Sequence, residues 1–123
     1  MYLKSIRPVA VRLPLSKPIK MAGVSMSATE NLLVRIEDDI GNFGWGEACS
    51  APTMTGETAA GMIAAVRYLA PQLEGISVDS IDELVARLDQ FLYGNTGAKS
   101  AIEIAAYDLL GKRHVDVIVS DQR

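Results

Sequence analysis

One cysteine in 123 residues, Cys49, excludes an intramolecular disulfide and fits a reducing compartment. The single histidine, His114, has no cysteine or carboxylate pair at metal-ligand spacing, so it reads as a solvated tail residue. No apolar run approaches the roughly 18 residues that a membrane span needs. The opening MYLKSIRPVAVRLPL is broken by charge too often for the apolar core of a signal peptide. A net charge of −3 leaves no electrostatic footprint for nucleic acid or an anionic membrane. The expected location is therefore the cytoplasm. There is no internal repeat, no low-complexity segment and no composition shift inside the chain. What remains is 49% hydrophobic and 22% charged, enough for one domain with a modest core.

The stretch Ala28 to Thr58 organises the chain. Leu32, Val34 and Ile36 alternate with Leu33, Arg35 and Glu37, the period of a half-buried strand. Asp38 to Asn42 is rich in turn formers, and Phe43, Trp45 and Glu47 then alternate with Gly44, Gly46 and Ala48 as a second strand. The two glycines bare one face of that strand and predict close approach by another element. Upstream, Tyr2 to Leu15 predicts a first strand, with Pro8 and Pro14 confining it to an edge or a bulge. Ser16 to Ser27 has no clean period and reads as a long loop, either packed or a functional flap.

Three helices follow. Thr55 is the expected cap of the first, with Glu57 in its first turn facing the dipole and Pro71 as its stop. Ser80 with Glu83 has the pattern of a capping box for the second. Its apolar stripe is Ile81, Leu84, Val85, Leu88, Phe91 and Leu92, and Gly94 ends it. The third is expected from Thr96 to Leu110, ended by Gly111. Its alanine-rich inner face is Ala98, Ala101, Ile102, Ala105, Ala106 and Leu109, which suggests a closely packed neighbouring helix. Strands first and helices after give an α+β fold: a three-stranded antiparallel meander followed by a small helical bundle.

Sites for chemistry are few. Gly41 to Gly46 holds glycines in a turn and strand, not between strand and helix, and so fails the dinucleotide-binding context. Cys49 reads as a small buried hydrophobe. Asp38 and Asp39 read as solvated turn residues. Glu47, beside Trp45, reads as a partly buried carboxylate that accepts hydrogen bonds from backbone or a basic side chain, with catalysis as the alternative. Asp108 and Lys112 are spaced for a surface ion pair. Glu103 faces either solvent or a partner domain.

Taken together, VRLPLSKPIK, ENLLVRIEDDIGNFGWGEA, PTMTGET and AIEIAAYDLLGK resemble, in order and spacing, the N-terminal capping domain of the enolase superfamily. The branch is that of mandelate racemase and muconate lactonizing enzyme. The resemblance covers residues 1–112. It implies an enolase N-terminal domain-like lid over a modified TIM barrel, with two lid loops closing on the substrate. By position, the substrate-proximal residues are Lys20, Met21, Val24 and Met26 on one loop and Thr53 and Met54 on the other. The alternative is that the methionines pack the lid's own core.

The resemblance implies an isomerase or lyase (racemase, cycloisomerase or dehydratase) that abstracts a proton alpha to a carboxylate. The implied cofactor is Mg2+, held on the barrel and not by this chain, and the implied substrate is a small carboxylate of amino-acid-like kind. Catalytic and metal-ligating residues are expected on the barrel, which needs roughly 200 residues, and none is assigned here. Residues 113–123 depart from the family pattern. Val115, Val117 and Val119 alternate like a short strand, so the tail is either the start of a missing barrel or an altered end. The runner-up is a free-standing, self-associating interaction module that reuses the lid fold, which leaves a homo-oligomer open.

Overall fold

The computed structural model describes residues 1–21 and 23–121, with the side chains of residues 21, 24 and 113–121 outside that description. Its elements are β1 (Leu3–Met21), β2 (Val24–Asp38), β3 (Phe43–Cys49), α1 (Ala59–Leu73), α2 (Ile81–Phe91) and α3 (Thr96–Asp121). The strands form one antiparallel sheet in the order β1-β2-β3. This is the expected α+β meander followed by helices.

The sheet buries one face. Leu32, Val34 and Ile36 are fully buried with Ile6 beside them, and α1 and α3 lie on that side with Val66, Leu69, Ile102 and Leu109. Gly44 and Gly46 are buried on the same face of β3. A Cβ on Gly44 would strike the Ala105 carbonyl and lie 2.6 Å from the Leu109 nitrogen. A Cβ on Gly46 would strike the Ala101 carbonyl and lie 2.7 Å from the Ala105 nitrogen. The close approach read from these glycines is present. Ala101 and Ala105 of α3 meet this bare strand, so the closest approach to the alanine stripe is made by β3, with α1 and α2 also packed on α3.

Several local expectations are corrected. Ser16 to Ser27 is not a loop: the β1–β2 ladder resumes at Ile19↔Met26 and runs to Met21↔Val24. Between Pro14↔Ala28 and Ile19↔Met26 the register shifts, leaving Leu15 to Pro18 opposite Ser27. Proline cannot donate to a ladder, so the strand bulges there, and the bulge scrambles the period-2 pattern. Thr58, not Thr55, caps α1: its hydroxyl accepts from the Gly61 N–H at 3.0 Å. Pro71 lies inside α1, which continues to Leu73 before Gly75 turns the chain at φ +86. Ser80 is at the N-cap of α2 but makes no side-chain cap bond, so the capping box does not form. Gly111 lies within α3, and Val115 to Val119 are helical rather than a strand. A glycine in a helix interior costs only about 1 kcal/mol relative to alanine, which the leucines and lysine around it offset.

Candidate functional site: one end of the sheet

The β1–β2 arm overshoots β3. The last residue of β3, Cys49, pairs with Asn31, so Val24 to Glu30 extend beyond it. The chain leaving β3 folds back towards this overhang, with the Ser50 N–H donating to the Glu30 carbonyl at 2.9 Å. Ala51 to Glu57 then closes on itself through an isolated bridge. The Ala51 carbonyl accepts from the N–H groups of Met54 (3.1 Å), Thr55 (2.9 Å) and Gly56 (3.2 Å).

Arm and loop enclose an open depression of about 260 Å³ lined by Met26, Ala28, Glu30, Ser50, Pro52, Thr53 and Thr58. Its walls are apolar groups and hydroxyls, with one carboxylate at Glu30. Of the residues read from the sequence, Met26 and Thr53 come together here. Lys20 is exposed near the arm's tip, paired across the ladder with Ser25. Met54 is exposed on the loop and outside the lining. The side chains of Met21 and Val24 lie outside the described residues. The sequence patterns above do not single out Glu30, Ser50 and Thr58. Their signal was present in the strand parity of Glu30 and in a threonine placed just before an apolar helical pattern.

The other candidate groups have structural partners. Glu47 is exposed, not partly buried, and its carboxylate accepts from the Asn31 amide at 2.7 Å. Cys49 is exposed rather than buried, because it shares the outward parity of Phe43 and Trp45. Asp38 is fully buried rather than solvated, and it accepts from Ile40 N–H (3.1 Å), Asn42 N–H (2.8 Å) and the Asn42 side-chain amide (3.1 Å). His114 lies outside the described side chains. Glu103 lines a larger cavity, about 470 Å³, between the end of α2 and the start of α3. That cavity also holds the buried Lys99, paired with Asp89 at 3.0 Å. Among the described residues no three His, Cys, Asp or Glu side chains gather closely enough to hold a metal ion. No described helix is long and apolar enough to cross a membrane.

A family model described as "Mandelate racemase / muconate lactonizing enzyme, N-terminal domain" matches residues 4–120. The chain is 34% identical over 115 residues to L-Ala-D/L-Glu epimerase of Clostridium acetobutylicum, covering 93% of this chain and 32% of that one. Its fold is similar to a dipeptide epimerase from Cytophaga hutchinsonii, solved in complex with Mg and the dipeptide D-Ala-L-Val. There the TM-score is 0.88 at 30% identity, over 93% of this chain and 31% of that one. It is similar as well to muconate lactonizing enzyme of Pseudomonas fluorescens complexed with muconolactone. For that pair the TM-score is 0.86 at 33% identity, over 90% of this chain and 31% of that one. The chain thus spans about a third of the length of these relatives.

Proposed function

We propose a function from one premise: the chain belongs to the mandelate racemase / muconate lactonizing enzyme family, as its N-terminal domain. Its part is to cap the substrate of an enzyme whose reacting groups lie on a barrel domain. The observation that carries this reading is the convergence of the β1–β2 arm and the loop after β3 on one depression. Apolar walls such as Met26 and Pro52 exclude water, and exclusion of water strengthens every electrostatic interaction beneath them. Lys20, Met21, Val24, Met26, Thr53 and Met54 are the substrate-proximal set, and the presence of Met26 and Thr53 in the lining supports it. Residues 1–112 form the cap, and the rest of α3 leads out of it.

The reaction class is abstraction of a proton alpha to a carboxylate in a cytoplasmic isomerase or lyase. The substrate class is a small amino-acid-like carboxylate. Similarity to enzymes named for dipeptide epimerisation supports a dipeptide within that class. The metal of the complete enzyme is Mg2+, as in the Cytophaga hutchinsonii complex. The described residues of this chain do not fit that ion, since they gather no ligand set for it.

A chimaera tests the reading. Residues 1–112 replace the matching segment of the Clostridium acetobutylicum epimerase, and epimerisation of L-Ala-D/L-Glu is measured. The folded chimaera is expected to be active with magnesium, and Thr53→Arg or Met26→Arg at the mouth is expected to raise KM without unfolding it. A folded, active chimaera whose KM ignores both substitutions overturns the capping role.

A further inference from the structure

Glu57 stands at the foot of the loop that walls the depression, in a position that its sequence context misassigns. It lies ahead of the α1 cap Thr58, so it is not in the first turn of α1. Its carboxylate reaches α3 instead: Oε2 accepts the Gly97 N–H at 2.8 Å in a partly buried contact. Gly97 is in the first turn of α3, where N–H groups have no partner within the helix and the dipole favours a negative charge. The absence of a side chain at Gly97 makes the contact possible. A Cβ there would lie 2.6 Å from Glu57 Oε2 and 3.0 Å from the Met62 sulfur.

The backbone of Glu57 closes the loop. Its carbonyl accepts the Ala51 N–H at 2.9 Å, and its own N–H donates to the Thr55 hydroxyl at 3.4 Å. With the three backbone bonds to the Ala51 carbonyl, Ala51 to Glu57 is an internally tied unit. The Glu57 side chain fixes that unit to α3, a helix that also packs against β3 and β2.

We propose that Glu57 is a positioning residue. By capping α3 with its carboxylate it holds the Ala51–Glu57 unit, and with it Pro52 and Thr53, at a set height over the depression. Its relevance to substrate rests on the capping reading above, whereas the mechanical role stands or falls without it.

Amide hydrogen exchange on the chain decides the matter. Glu57→Ala is expected to speed exchange at Gly97, Met54, Thr55 and Gly56 by about tenfold or more, the scale of losing a charge-assisted hydrogen bond. The amides of Leu32, Val34 and Ile36 should stay protected. Glu57→Gln keeps an acceptor oxygen and should restore most of the protection. Gly97→Ala leaves Glu57 in the chain but displaces its carboxylate, and alanine favours the helix, so loop loosening without loss of α3 is expected. If loop amides are unchanged in both Glu57→Ala and Gly97→Ala, the proposal is overturned. It is equally overturned if protection falls evenly across loop and core, since Glu57 would then only support the fold. The chimaera kinetics above judge the capping role separately.

Discussion

Asp38 is a polar residue whose removal should be costly. It is fully buried at the end of β2, and both carboxylate oxygens are used by Asn42 and Ile40 to shape the β2–β3 turn. Asp38→Ala leaves those donors without an acceptor and should cost about 2–4 kcal/mol. Urea unfolding should show a lower midpoint, with Asp38→Asn falling between the two. The sequence shows that this stretch turns but not that the turn is sealed from water, so solvation was the wrong inference from Asp38-Asp39. Gly46 is the opposite case. Its bareness was legible, although its partner was not, since an alanine stripe reads the same beneath a strand or a helix. Gly46→Ala drives a methyl into the backbone of Ala101 and Ala105, which cannot yield as a flexible side chain can. The expected cost is about 3 kcal/mol or more, seen as a fall in Tm, whereas Gly111→Ala, where a Cβ in the helix meets nothing within 4 Å, should hold or raise it.

Strand β3 is an edge of the sheet, and α3 closes that edge with side chains. Asp108 accepts the Trp45 N–H at 2.9 Å, Lys112 donates to the Phe43 carbonyl at 3.2 Å, and the two pair with each other at 3.2 Å. A spacing that reads as a surface ion pair worth a few tenths of a kcal/mol is thus also a bracket for two outward backbone groups. The backbone bond from Trp45, more than Lys112, holds the Asp108 carboxyl below its ordinary 3.8. Its contribution to stability is therefore complete above that value and is lost as pH falls through the lowered folded-state pKa. Asp108→Asn should lower stability by a constant amount above its ordinary 3.8, and the gap to the unsubstituted chain should close as pH falls below that value. At the other edge, β1 carries Pro8, Pro14 and Pro18, which offer no N–H to an added strand. Two of these prolines flank the bulge that hid the β1–β2 arm from the sequence. Helix existence and order were legible from period 3.6, but the caps were not, because competing threonines and glycines differ only in the turns around them.

With both edges protected, association of whole molecules has to use a face. The sheet's outer face carries Val9, Phe43 and Trp45, each about two-fifths exposed. Across the ladder, however, Trp45 is opposite Arg35, Phe43 is opposite Glu37, and Arg35 is opposite Arg7. The Arg35 guanidinium lies 4.6 Å from the Phe43 ring centre and the Lys112 ammonium 4.7 Å from it. Charges interleaved in this way break up the apolar surface around Phe43 and Trp45 and weaken it as a face for self-association. Light scattering on the dilute chain should therefore give a monomer near 13.2 kDa. Titration with magnesium should give no tight binding, because no described ligand set exists to hold the ion. A dimer that survives dilution would move the reading to a self-associating module. A tight magnesium isotherm would contradict the division between a cap that shapes the pocket and a barrel that supplies its charge.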